Sequence, residues 1–240
     1  MKILAMDSSG MVASVAIVED GITKAEYTIN NKKTHSQTLL PMLDEVARML
    51  EEDMSDVDAV AIAAGPGSFT GLRIGSATVK GLAMAYNKPI VEVSTLAGLA
   101  ANMWGTSMLV CPVMDARRNQ TYTGIYEYGV EDNTCVMKTI LDECALSIEA
   151  LIDKINEQGK AVVFLGDGVP VFKDKIKELC KVPFVFAPAN MNRQRAASVA
   201  MLGELLFKEG KSVSATEHVP EYLRLSQAER ERLEQGESIV

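Results

Sequence analysis

The stretch Ala59-Val60-Ala61-Ile62, running on to Gly65-Pro66-Gly67, is echoed by Ala161-Val162-Val163-Phe164, running on to Gly166-Asp167-Gly168. Each is a short apolar run that stops at a glycine turn. That is the pattern of a strand buried on both faces that hands over to a helix. The copies lie roughly 100 residues apart, a spacing at which internal similarity signals two copies of one supersecondary unit. The flanks agree. Lys2–Met6 ends at Asp7-Ser8-Ser9-Gly10, and Met108–Met114 ends at Asp115. Val12–Val18 stops at Asp20-Gly21, a strong hairpin signal, and Ile22–Ile29 returns. Thr121–Tyr128 and Cys135–Leu141 are the matching strands of the second copy.

Helices fill the gaps. Leu39, Leu40, Leu43, Val46, Ala47 and Leu50 form one stripe of a 3.6-residue period. Thr34, Ser36 or Thr38 is expected to cap it, with Pro41 in its first turn or else kinking it. A second helix is expected over Gly71–Tyr86, a strand at Ile90–Val93 and a third helix at Thr95–Trp104. The second copy adds a helix at Ser147–Gln158, a strand at Ala161–Leu165 and a further helix. A short strand near Phe184–Phe186 and a long helix, Arg193–Phe207, complete it. The expected fold is α/β, with a βββαβα unit duplicated into two lobes, 1–105 and 106–225. Residues 226–240 are expected to be a charged tail.

Composition narrows the function classes. The chain has 240 residues, 48% hydrophobic and 23% charged, an ordinary globular mix. No apolar run nears the roughly 20 residues of a membrane span. A carboxylate as early as Asp7 argues against a secretory leader. Net charge is −8, whereas nucleic-acid binders carry a basic excess, because phosphate contacts dominate their affinity. Cys111, Cys135, Cys144 and Cys180 form no CxxC pair, so they are expected to be free thiols of a reducing cytoplasm. His35 and His218 are the only histidines, too few for a His-based metal site.

Several residues are candidates for chemistry or contact. Asp7 and Asp115 end the first strand of each copy, where they would either orient a nucleotide's magnesium or stabilise their own turns. Arg117 and Arg118 follow Asp115, and Gly166 and Gly168 form the second glycine turn. Asp167 between them repels a phosphate. Gly65–Gly71 lacks the Gly-Lys-Ser/Thr ending of a phosphate loop, so Ser68 or Thr70 reads as a helix cap. Gly71, Gly75, Thr78, Leu82 and Ala85 line one helix face. An internal glycine costs about 0.5–1 kcal/mol, so these demand close approach of a backbone, either of the chain's own sheet or of a partner helix. Met42 and Met49 widen the stripe of the preceding helix, as adaptable interfaces require.

Particular strings narrow the resemblance. They are His35-Ser36-Gln37-Thr38-Leu39-Leu40-Pro41, Gly65-Pro66-Gly67-Ser68-Phe69-Thr70-Gly71-Leu72-Arg73-Ile74-Gly75 and Val93-Ser94-Thr95-Leu96-Ala97-Gly98-Leu99. Met114-Asp115-Ala116-Arg117-Arg118-Asn119-Gln120-Thr121-Tyr122 and Pro220-Glu221-Tyr222-Leu223-Arg224 complete the set. From residue 2 to about 225 the chain resembles the TsaB (YeaZ) family, whose two-lobed fold is that of actin, sugar kinases and chaperone ATPases. The resemblance implies a non-catalytic, cytoplasmic subunit in formation of threonylcarbamoyladenosine in tRNA. It implies a heterodimer with a TsaD-like paralogue that carries the transferase site, a TsaE-like ATPase as further partner, tRNA bound indirectly, and a homodimer when alone. It implies no catalytic residue and no required cofactor, with ATP or ADP and magnesium held weakly or at the partner interface, in a degenerate cleft of Asp7, Asp115, Arg117, Gly166 and Gly168. The paralogue's metal site uses an HxxxH pair; here His35 is followed four residues on by Leu39, so no metal is expected. The expected partner interface comprises His35, Leu39, Leu40, Met42, Leu43, Val46, Gly71, Leu72, Gly75, Thr78 and Leu82. The rival reading is a stand-alone ATPase or small-molecule kinase. A peptidase is disfavoured by the lack of a metal pair or a nucleophile–His pair.

Overall fold

In the computed structural model, residues 1–31, 33–51 and 53–224 are described; the expected tail, 226–240, lies outside them. The elements follow the duplicated pattern. The first copy runs β1 (Lys2–Asp7), β2 (Val12–Glu19), β3 (Ile22–Asn30), α1 (Leu39–Leu50), β4 (Ala59–Gly65), α2 (Phe69–Tyr86), β5 (Ile90–Ser94) and α3 (Thr95–Ala101). The second runs β6 (Leu109–Asp115), β7 (Gln120–Glu131), β8 (Thr134–Ser147), α4 (Ile148–Gln158), β9 (Val162–Leu165), α5 (Val169–Leu179), β10 (Phe184–Phe186) and α6 (Ala196–Lys208). Two five-stranded sheets result, in the orders β3-β2-β1-β4-β5 and β10-β9-β6-β7-β8. Read from the other edge, the second has the order of the first.

The apolar runs explain the centre of each sheet. β1 pairs antiparallel with β2 and parallel with β4, with Ile3 opposite both Val18 and Ala59. β6 pairs parallel with β9, with Leu109 opposite Val162. These central strands are buried on both faces, which is why they read as continuous apolar runs. One face of the first sheet takes α1 and α2: Leu39, Met42, Leu43, Val46 and Val79 pack on Leu4, Met6, Val15 and Ile62. The outer face of the second sheet takes α4 and α5 through Ile148, Leu151, Ile152, Phe172 and Ile176.

The remaining two helices are exchanged between the copies. α6, from the second, lays Ala196, Val199 and Ala200 on Ile3, Ala5, Ala61 and Val93 of the first sheet. α3, from the first, lays Leu96, Leu99 and Ala100 against Val110, Met114, Tyr126 and Val163 of the second. The molecule is thus layered helix, sheet, helix, sheet, helix. Asn102 ties the middle layer together: its Nδ2 donates to the carbonyls of Met191 (2.9 Å) and Arg193 (2.7 Å), and its Oδ1 accepts from Ser198 Oγ (2.6 Å).

Local details differ from expectation. α2 begins at Phe69, two residues early, because Ser68 Oγ caps it by accepting from Gly71 N. α1 is preceded by a 3-10 turn over His35–Gln37, and its capping residue, Thr38, is already helical and makes no side-chain cap bond. α3 stops at Ala101, because the residues up to Trp104 bond three residues back in tight turns instead of continuing the helix, and α6 starts at Ala196, after the polar Arg193-Gln194-Arg195.

The glycines of α2 correct a larger expectation. A Cβ on Gly71 would meet the Ser8 carbonyl oxygen at 2.1 Å, and one on Gly75 would meet Ser8 Oγ at 2.4 Å. Both glycines face the chain's own β1–β2 turn and are not free for a partner helix. Gly81 has nothing within 4 Å of its Cβ position and is exposed. We therefore expect Gly71→Ala to destabilise the fold by about 1–3 kcal/mol through overpacking. Gly81→Ala should stabilise it by about 0.5–1 kcal/mol through helix propensity. Urea unfolding midpoints at constant slope measure both.

Candidate functional site

Two surface features gather the candidate residues. The first is a cleft of about 670 Å³ between the lobes. Ser9 and Gly10 of the β1–β2 turn and Gly67–Gly71 of the β4–α2 junction line one side, and Asp115–Arg117 and Asp167 line the other. Tyr222, Leu223 and Arg224 close one end.

Asp7 lies beneath this cleft, 1% exposed, with its Oδ1 accepting from Ser9 N (2.9 Å) and Ser9 Oγ (2.6 Å). Burial outweighs those bonds and pushes its carboxyl up to about 6. Asp115 does line the cleft, but its Oδ1 accepts from Arg117 N at 2.8 Å, the local turn bond. Arg117, Arg118 and Asn119 all take left-handed backbone conformations, with φ of 63°, 55° and 59°, so this carboxylate helps hold a tight β6–β7 turn. Asp167 Oδ1 accepts from Asp115 N (3.2 Å), and burial raises its pKa.

Gly166 and Gly168 are not cleft walls, contrary to expectation. Cβ atoms there would meet the Val113 carbonyl oxygen at 2.3 and 2.9 Å, so both serve close packing of the β9–α5 turn on β6. Of the expected cleft residues only Asp115 and Arg117 reach the cavity. Asp167, between the glycines, reaches it too. His35, expected at the partner interface, also lines the cleft. Its Nε2 bonds the Gly10 carbonyl at 2.8 Å and pins the 3-10 turn to the β1–β2 turn.

The second feature is a groove between α1 and α2 on the outer face of the first lobe. Leu40, Ala47, Leu82 and Tyr86 supply apolar surface, and Asp44, Glu51 and Asp53 an acidic rim. Leu40, in the groove, is 52% exposed; Met49 and Met84, elsewhere on the same two helices, are 67% and 69% exposed. The burial corrects the expected interface. Leu39, Met42, Leu43, Val46 and Leu72 are core residues, at most 5% exposed, because the stripe read from the periodicity is the face turned to the sheet. Leu40, Thr78 and Leu82 remain at the surface. Met84 sits with Ala77 and Gly81 on the outward face of α2, off the face read from the sequence, and Met49, expected to widen the stripe of α1, is exposed at its flank.

Among the described residues no group of His, Cys, Asp or Glu side chains has the arrangement of a metal site, and no helix is long and apolar enough to cross a membrane. The four cysteines are free; Cys111 is buried, the other three partly so.

Residues 24–232 match the family model described as TsaD: tRNA N6-adenosine threonylcarbamoyltransferase. The protein of Bacillus subtilis named tRNA threonylcarbamoyladenosine biosynthesis protein TsaB is 31% identical over 98% of this chain and 99% of its own length. The chain belongs to the TsaB family. The Escherichia coli TsaB is 29% identical over 93% of this chain and 95% of its own length. The solved structure of YeaZ from Pseudomonas aeruginosa superposes with a TM-score of 0.75 at 28% identity, over 92% of this chain and 99% of that one. The structure places the quoted strings at the cleft, the α2 entry, the β5–α3 junction and the C-terminal segment. Leu39 stands four residues after His35 and is buried in the core, 1% exposed, so no ligand pair forms on that helix.

Asp7 gives a pH-dependent test. Its unfolded carboxyl ionises near 3.8 and its folded one near 6, so the folded state holds the proton longer. The stability this contributes is full below about pH 4 and is lost as pH rises toward about 6, a change on the order of 3 kcal/mol. Asp7→Asn keeps an acceptor for Ser9 and cannot ionise. Its unfolding free energy should gain about 2–3 kcal/mol relative to wild type between pH 4 and pH 7, measured by urea denaturation; parallel curves for the two proteins would refute it.

Proposed function

We propose that this chain is a non-catalytic, cytoplasmic assembly subunit in the formation of threonylcarbamoyladenosine in tRNA, and that it binds and activates a TsaD-like transferase through the outer faces of α1 and α2. The observation that carries this reading is the apolar groove there. Leu40, Ala47, Leu82 and Tyr86 of two adjacent helices line it, Leu40 is more than half exposed, and large apolar side chains gathered at a surface mark an interaction site. Two helices side by side are half of a four-helix seam, and a paralogue of the same fold brings the other half. Exposed Ala77 and Gly81 on α2 let a partner backbone approach. When that partner is missing, the same face serves a second copy of the chain.

The cleft supports the non-catalytic part. Its carboxylates are spent on turns, and the second glycine turn presents Asp167 where a phosphate would sit. In the proposed complex the transferase site, the ATPase and the main tRNA contacts belong to other subunits, in keeping with the net charge of −8. Nucleotide with magnesium is not required by this chain and binds weakly or at the interface.

Gly81→Trp and Met84→Glu place a bulky or charged group on the outward face without touching the core. Each should weaken binding to the purified TsaD-like paralogue by at least tenfold in isothermal calorimetry, with an unchanged melting temperature. Undiminished affinity in both variants would place the interface elsewhere. Tight Mg-ATP binding and turnover by the isolated chain, abolished in Asp115→Ala, would favour the kinase reading.

A further inference from the structure

After α6 the chain does not end on its own lobe but runs across the mouth of the cleft. Val213 and Ile90 exchange both backbone bonds at 2.9 Å. His218, fully buried, bonds Glu92 through Nδ1 at 2.6 Å. Glu221 N donates to the Ala64 carbonyl at 2.8 Å. The backbone of Glu221 then lies so close to Gly65 that a Cβ there would meet its oxygen at 2.1 Å. Tyr222 stacks on Phe69 with centroids 4.5 Å apart, and the Arg73 guanidinium sits 4.0 Å from the centre of the Phe69 ring. Every one of these anchors is in the first lobe. Arg224 then reaches over the cleft, and its Nη1 donates to the Ala116 carbonyl of the second lobe at 2.9 Å.

We propose that the segment Val213–Arg224 is a latch: it stays with the first lobe and sets the opening of the cleft through the Arg224–Ala116 bond. The asymmetry of the anchors carries the inference. Among the described residues the strap is held at many points on one side and by one hydrogen bond on the other, and such a strap parts at that bond first. The receiving carbonyl belongs to the tight β6–β7 turn, so it is presented at a fixed position. The buried middle layer of α3 and α6 is the pivot, and the cleft mouth is the part of the lobe boundary that leaves room to widen. Release would uncover the Phe69–Tyr222 pair at the entry to α2 and widen the cavity between the lobes.

The test is an interlobe distance measured by pulsed electron-electron resonance on the full chain. Spin labels go on Thr23→Cys and Glu178→Cys, both exposed, one on each lobe and neither on the outer face of α1 and α2, after Cys135, Cys144 and Cys180 are replaced by serine. The parent should give one narrow distance. Arg224→Ala should add a longer population and about double the width, and Arg224→Lys, which keeps one donor, should restore the narrow peak in part. Circular dichroism melts confirm that each variant is folded; if Arg224→Ala does not fold, Arg224→Gln replaces it. Superimposable distributions for parent and variant, or a parent already as broad as Arg224→Ala, would overturn the proposal.

Discussion

The structure depends on the contact between the β1–β2 turn and the first turns of α2. Gly67, Gly71 and Gly75 all stand against Ser8 and Ser9, at distances that leave no room for a Cβ. Ser68 N donates to the Ser9 carbonyl (2.6 Å), and Ser8 Oγ to the Gly71 carbonyl (2.9 Å). This backbone-to-backbone approach fixes how α2 leaves β4, and with it the floor of the cleft and the direction of the opposite helix face. Gly71 and Gly75 are turned inward by this contact, and the outward face of α2 carries Ala77, Gly81 and Met84.

The same constraint separates two roles that the sequence runs together. Glycine in a helix interior says only that some backbone comes near. Nothing in the one-dimensional pattern says whether that backbone is the chain's own, and here at Gly71 and Gly75 it is. The stripe of α1 misleads in the same way. Leu39, Met42, Leu43 and Val46 recur at the helical period because they face the sheet, so the centre of the periodic signal marks the core, and Leu40, at its edge, is the member left at the surface.

Other parts were legible for physical reasons. Continuous apolar runs identify β1, β4, β6 and β9 because each is covered on both faces, and the matching glycine turns reveal the duplication. Asp20-Gly21 locates the first hairpin, where both residues take positive φ, 49° and 74°. What stayed hidden rests on long-range pairing. Tyr222 and Arg224 join the cleft because their partners, Phe69 and Ala116, lie more than 100 residues away in sequence, and no local pattern encodes that.

The exchange of α3 and α6 has an architectural consequence. Each sheet has one face covered by a helix that the other half of the chain supplies, as in a domain-swapped dimer whose two protomers have been fused into one polypeptide. Neither half owns a complete core. Cutting the chain between residues 105 and 106 would yield not two small domains but two complementary fragments, each with an apolar sheet face that only the other can cover. Foldability is thus a property of the pair and not of either half.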